Sequence, residues 1–515
     1  MPDLGSVRLA DVMTALSIAT DLSMGQPVEH AMRTCIVAMR LGDALGFNDA
    51  QLHDVYYESL LRYIGCNADT AWAASILGDE IALRTAMAEV DAGDQRAVFE
   101  TVGRVLHEFH AGAGSEQMEQ AIARVMSEAP LIGTSFFPGH CDVARALASR
   151  LGFPARFVDT IGQLYARWDG HGVPALAGDA IALPFLCTSL AQDAVVFHRI
   201  GGVDASIAMA GQRRGGAHSP AMVDAFVAKA TTIFAGLDQE PAWDTVLRLE
   251  PGTARVLDED ALDVAFDVMA DYGDIKSPWF LNHSHRVAEL AGRAARACGM
   301  SPSTERMLRR AALVHDIGKV GISSGIWGKE GALTDAELTL VRRHPYETGR
   351  IFGRSETLGS IGALAALHHE TLDGRGYHRG LSGEMLSPAA RLLIAANAYQ
   401  SRIDRRPHRE AMSADAACAA LMREVECGRM DGDAVRAVTS AASDGTPGAV
   451  AASPLSERER EVLALLARGN ATKQIAAELR IAYKTADRHI QNVYTKIGVN
   501  TRAAATLYAM RQRLV

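Results

Sequence analysis

The tightest constraint on how this 515-residue chain can fold is a repeat of spacings. His30 opens an apolar-periodic run (HAMRTCIVAMRLGDALG) and Arg62 follows 32 residues later; His283 opens a similar run (HSHRVAELAGRAARACG) and His315 follows at the same 32. His140 to Asp169 and His344 to Asp373 are both 29 residues, and Asp169 to Asp193 and Asp373 to Asn397 are both 24. The offset between the copies falls from 253 to 204, so the first copy carries 49 extra residues between Arg62 and His140. Three matched spacings with similar local words imply a tandem duplication of one supersecondary unit. The apolar residues within each run recur at helical period, Ala is abundant and β-branched runs are scarce, so the unit is all-α.

Length alone asks for several cores. With hydrophobic residues at 48%, the composition reads as that of a soluble globular protein. No apolar run approaches the length of a membrane span, and Asp3, Arg8 and Asp11 interrupt any signal-peptide core, so a cytoplasmic protein without membrane contact is expected. Seven cysteines without a CxxC pair fit a reducing compartment. The net charge of −9 argues against a general nucleic-acid binder but is unevenly spread. Residues 454–515 hold eleven Lys or Arg against five Asp or Glu, a net of +6, which leaves −15 for the rest. An acidic body with a basic tail domain follows.

Chemistry concentrates in the second copy. AALVHDIGK delivers His315 and Asp316 at the end of an apolar helix, where an ionised carboxylate is costly unless it is paired or metal-bound. With His283, His344, His368 and His369 it makes six candidate ligands at the ends of expected helices, and helix ends converging in a bundle can supply ligands to one site. Lys319, one turn from Asp316, can neutralise a phosphate oxygen. The first copy has Arg62-Tyr63 and Leu164-Tyr165 where the second has His315-Asp316 and His368-His369, so it is expected to be structural, regulatory or ligand-sensing.

HDIGK, HPYETG, HHETLDGRGY and RRPHR together make residues 257–442 resemble the HD-GYP branch of the HD phosphohydrolase superfamily. The resemblance implies an all-helical metal enzyme that hydrolyses cyclic dinucleotides, chiefly cyclic di-GMP, with one or two divalent ions such as Fe or Mn. It assigns His283, His315 and Asp316 to one ion, with Asp316 bridging to a second held by His344, His368 and His369. Asp316 and Lys319 would be the catalytic residues; Lys319, Arg406 and Arg409 would meet the nucleotide phosphates; Asp373, Gly374, Gly376 and Tyr377 would shape the pocket. Four departures accompany it. The closing Asp ligand of the family is Asn397, a Glu that some members use falls at Trp279, the Pro of the GYP motif is His378, and an Asp after the closing ligand is Gln400. One metal position is thus fully furnished, a neighbour is weakened and a third is lost.

In the tail, Ser456 with Glu459 three residues on forms a capping box, and two short helices joined by a tight turn give a helix-turn-helix layout. LSERER, EVLALLARG, KQIAAEL and KTADRHIQNVYTKIGV make it resemble the LuxR-type DNA-binding domain. Ile475, Ala476, Leu479, Ile490 and Val493 are core by spacing. By position, Asp487, Arg488 and Gln491 would read base edges of double-stranded DNA, and Lys473, Lys484, Thr485 and Lys496 would meet phosphates, in a homodimer on two half-sites. The expected architecture is all-α. It comprises a degenerate HD-type bundle over 1–250 with an insertion near 67–132, a metal-binding HD-type bundle over 257–442, a linker over 443–453 and a four-helix domain over 454–515. The expected function is a DNA-binding transcription regulator whose body binds metal and senses a nucleotide or a partner; the alternative is an active phosphodiesterase with a DNA-binding tail.

Overall fold

A computed structural model describes residues 7–111, 115–443 and 454–515. The expected linker lies, from residue 444 on, outside the described residues. The described residues form helices joined by short loops, with isolated bridges and no named strand. No described helix is long and apolar enough to cross a membrane. The chain divides into two compact units, Ser6–Asp258 and Glu259–Val515.

In Ser6–Asp258 the helices His30–Ala44 and Asp49–Leu61 pack against the long helix Leu183–Arg213 and against Leu9–Ser23, burying Met32, Cys35, Ile36, Tyr56 and Phe185. Leu183–Arg213 is broken at Gly201 and at Gly202, whose φ of 68° only glycine adopts freely. The extra residues of this copy form helices of their own, including Gln95–Phe109 and Ser115–Leu131. The helix carrying His140 begins before that residue, because Ser115–Leu131 runs through a π-helical turn, Ile132–Phe136, straight into Phe137–Arg150.

In Glu259–Val515 the bundle is built from Glu259–Asp274, His283–Ala297, Pro302–Val314, His344–Phe352, Gly359–Ala365, Pro388–Ile403 and Gly432–Ser443. The duplication reappears as backbone detail. Glu29 (φ 76°) and Asn282 (φ 60°), each just before the first His of its copy, are both left-handed. A Cβ added at Gly65 would fall 1.9 Å from the His140 carbonyl oxygen, and one at Gly318 would fall 2.1 Å from that of His344. Val173 donates its amide to the Tyr165 carbonyl (2.8 Å) as Tyr377 does to that of His369 (3.3 Å). Each pair is related by 253 or 204 residues, the two offsets of the repeat.

The tail belongs to the second unit and has four helices: Glu457–Ala467, Thr472–Glu478, Tyr483–Ile497 and Arg502–Arg511. Ser456 and Glu459 form the capping box, Thr501 caps the last helix, and Gly498 ends the third at φ 70°. Ile475, Ala476, Ile490 and Val493 are buried. Leu479 is only half-buried, because it closes the second helix instead of lying within it.

Candidate metal centre

Four histidine rings converge on Asp316, and the backbone sets their orientation. His315 ends Pro302–Val314 and its Nδ1 meets the Ala312 carbonyl (2.6 Å); His344 starts its helix with Nδ1 on the Val341 carbonyl (2.6 Å); His368 places Nδ1 on the Ala365 carbonyl (2.8 Å). His283 Nδ1 meets the Asp404 carboxylate at 2.6 Å. An Nδ1 facing an acceptor carries the proton, so each Nε2 presents a lone pair to the centre. The two carboxylate oxygens of Asp316 divide these lone pairs between them. Oδ2 lies 3.2 Å from His315 Nε2 and 3.6 Å from His283 Nε2, while Oδ1 lies 3.4 Å from His344 Nε2 and 3.3 Å from His368 Nε2.

The arrangement is costly without a cation. His344 and His368 bring their Nε2 atoms to 2.9 Å, where two lone pairs repel unless a proton or metal ion lies between them. His315 Nε2 and Asp316 Oδ1 are buried without a hydrogen-bond partner, which is expensive for polar atoms. Burial pushes His283 down to about 4 and His368 to about 3, and drives His344 and His369 downward too, so these rings are neutral ligands near pH 7. Burial works to raise Asp316, but the imidazoles around it and the Lys319 ammonium outweigh it and hold the carboxyl well below its ordinary range. Among the described residues two groups can hold an ion: His283 with His315 and Asp316, and His344 with His368 and His369. Neutral imidazoles and a carboxylate are the donor set of borderline divalent metals, and they fit here.

Asn397 lies where the repeat predicts, its Oδ1 3.2 Å from His283 Nε2 and also accepting from Ser401 Oγ. Lys319 pairs with Asp316 and stacks over Phe280 and Trp327. Arg406 donates to the Trp279 carbonyl and lies 3.6 Å from Asp404. Arg409 is engaged with the Ser401 and Arg402 carbonyls, so it ties its own loop. Tyr377 stacks on His369 with ring centroids 4.5 Å apart. Asp373 accepts from Thr371 Oγ1 and the Arg375 amide, Gly374 takes φ 74°, and a Cβ at Gly376 would meet Glu370 Cα at 2.4 Å; these three residues build the turn that presents Tyr377.

Sequence reasoning passed over Asp404, two residues before Arg406, which is the hydrogen-bond partner of a candidate ligand. It also passed over Arg286, which donates to Asp404 Oδ1 (3.2 Å), and Thr348, which receives the Gly318 amide and donates to the His315 carbonyl. Asp404 stood beside the RRPHR run, and that was the only signal for it. In the first copy His140 bonds the Tyr165 hydroxyl (2.7 Å) and the Ala68 carbonyl (3.0 Å), Arg62 pairs with Glu58, and Asp193 pairs with Arg213 and His218. These side chains pair with one another, although His30 Nε2, Glu58 Oε2 and Arg62 Nε are buried without a hydrogen-bond partner. In the tail, Lys473, Lys484, Asp487, Arg488 and Gln491 are exposed and Thr485 is half-buried. Lys496 pairs with Glu459 at 2.7 Å, bracing the third helix on the first.

Residues 267–434 match the HD domain family, and residues 453–509 match the bacterial regulatory proteins of the luxR family. The chain is 28% identical over 424 residues to the 3'3'-cGAMP-specific phosphodiesterase 3 of Vibrio cholerae serotype O1, covering 80% of this chain and 90% of that protein. It is 38% identical over 140 residues to the cyclic di-GMP phosphodiesterase response regulator RpfG of Xanthomonas campestris pv. campestris, covering 26% of this chain and 36% of that one. A crystal structure of a cyclic GMP-AMP specific phosphodiesterase from V. cholerae superposes with a TM-score of 0.58 at 25% identity, over 86% of this chain and 99% of that one. The chain therefore carries an HD domain over residues 267–434 and a luxR-type domain over residues 453–509, and over most of its length it is similar in sequence and fold to cyclic-nucleotide phosphodiesterases.

Proposed function

We propose that this protein is a transcription regulator whose HD domain binds divalent metal and senses a cyclic dinucleotide, and whose tail binds double-stranded DNA as a homodimer. His283, His315 and Asp316 would hold one ion and His344, His368 and His369 a second, with Asp316 between them. The observation that carries the reading is the combination of inward-facing Nε2 lone pairs on Asp316 with a neutral amide, Asn397, at the closing position. The donor set is suited to holding metal, and the missing carboxylate weakens the site as a catalyst.

When bound, the ions would activate water and polarise a phosphoryl oxygen. Around them Lys319 and Arg406 supply positive charge for nucleotide phosphates, and the turn containing Asp373, Gly374 and Gly376 positions Tyr377 at the rim. In the tail Asp487, Arg488 and Gln491 face solvent for base edges, with Lys473, Lys484 and Thr485 beside them for phosphates. Lys496 is also assigned to a phosphate and would have to share its ammonium with Glu459.

The second reading is an active phosphodiesterase with a DNA-binding tail. The full set of six ligands supports it, as do the activities named for the V. cholerae and X. campestris relatives. One experiment separates the two: measure the metal content of the purified chain together with binding and hydrolysis of 3'3'-cGAMP and cyclic di-GMP. Metal with tight nucleotide binding and slow turnover supports the sensor, fast turnover overturns it in favour of the enzyme, and a metal-free chain overturns both.

A further inference from the structure

The DNA-binding tail is hydrogen-bonded to the support of the candidate metal centre. Asn282, the left-handed residue directly before His283, donates its amide to the Met510 carbonyl (2.9 Å) and the Val515 carbonyl (3.0 Å). Arg286, one turn along the same helix, donates to the Val515 carbonyl (3.1 Å) and to Asp404 Oδ1 (3.2 Å), and Asp404 holds His283 Nδ1. Arg513 pairs with Glu289 at 3.0 Å on the same helix. Two side chains, Arg286 and Asp404, thus lead from the end of the tail to a candidate ligand ring.

Beside this junction lies a cleft of about 450 Å³, walled by Trp279, Asp404 and Arg405 from the HD domain and by Arg468, Asn470 and Glu478 from the tail. That volume is within the range of small-ligand sites. Both acids in its wall are already engaged: Asp404 with His283 and Arg286, and Glu478 with the Asn470 amide (3.3 Å). Arg405 has only an exposed pairing with Glu410 (3.3 Å), which contributes little. Arg468 is exposed and faces the same space from the opposite domain. Two guanidinium groups across one cleft repel, and an anion between them turns that repulsion into attraction to both. Trp279 adds a flat aromatic surface of the kind on which a base stacks.

We propose that this cleft is a nucleotide site made jointly by the two domains, in which an anionic cyclic dinucleotide places phosphate between Arg405 and Arg468 and a base against Trp279. The tail is then part of the sensor: ligand binding draws the DNA-binding domain onto the HD domain, and by linkage a docked tail tightens ligand binding. The inference rests on the nucleotide-sensing reading and adds the residues that couple it to the tail.

The test uses the full, metal-loaded chain with 3'3'-cGAMP and cyclic di-GMP as probes, measuring affinity by calorimetry and amide hydrogen exchange over 278–290 and 502–515. Arg468→Ala and Arg405→Ala are expected to weaken binding of the preferred nucleotide roughly tenfold to hundredfold, with metal content unchanged. Nucleotide is expected to slow exchange in both segments of the unaltered chain, and to do so less in Arg468→Ala. Unaltered affinity and exchange in Arg468→Ala overturn the joint site and leave the sensing reading standing. Failure of the unaltered chain to bind either nucleotide overturns both.

Discussion

Asn397→Asp tests the energetics of the centre most sharply, because its effect should change sign with metal. The side chain is 3% exposed and its Oδ1 lies 3.2 Å from His283 Nε2, so the new carboxylate would be buried close to Asp316. Without metal the variant gathers two carboxylates in a dry site. Burying an ion costs several kcal/mol, and like charge makes this worse, so the metal-free variant should unfold at lower temperature than the parent. With metal, a unit charge ~4 Å from a dication gains about 8 kcal/mol at an effective dielectric of ~20. Desolvation offsets more than half of that, leaving about 3 kcal/mol, or roughly a hundredfold in metal affinity. Chelator competition gives the affinity, and thermal unfolding with and without Mn²⁺ gives the two stabilities. The expected pattern is a crossover, with the variant less stable than the parent when metal-free and more stable when loaded. A variant that binds metal no better than the parent, or is destabilised equally in both states, would refute the assignment of Asn397 as the weakened closing ligand.

Asp404→Ala removes the partner of His283 Nδ1 and should weaken metal binding roughly 10–100-fold with the helical circular-dichroism signal retained; unchanged chelator competition would count against it. Hydrogen bonds from Lys496 and the Ser456 amide lower Glu459 from 4.5 to about 2. A carboxylate lowered on folding stabilises the native state above its unfolded value and loses that contribution as pH falls through the folded one. The tail should therefore lose stability between pH 4.5 and about 2, and Glu459→Gln should flatten that loss in thermal melts. Arg488→Ala should weaken binding to a specific operator by about 1–3 kcal/mol while leaving nonspecific DNA binding nearly intact, measured by titration at fixed salt; an equal loss on both DNAs would make Arg488 a phosphate contact.

The duplication was legible in matched spacings, some of them between positions that differ in residue type, and the structure adds a glycine pair that those spacings did not use. Gly65 and Gly318 each let the backbone approach a histidine carbonyl, and no other residue fits there. The six candidate ligands were legible because buried His and Asp at helix ends have few other uses. The orientation of the rings was not. His315, His344 and His368 are aimed by the carbonyls of Ala312, Val341 and Ala365, and a backbone acceptor can come from any residue type, so the sequence carries no mark of it. Asp404 was missed for a related reason: a lone acidic residue beside arginines reads as a surface ion pair until the fold brings it 121 residues back to His283. Arg409 shows the converse, a side chain of the right type and position that the loop consumes in its own hydrogen bonds.

The sensing reading and the phosphodiesterase reading both require the HD domain to be a metal site. The direct measurement is elemental analysis of the full chain purified without added chelator, alongside His315→Ala and His368→Ala. The account predicts one or two divalent transition-metal ions per chain, with loss in both variants while each remains helical. A metal-free parent that stays folded, or variants that retain the parent's metal, would contradict it.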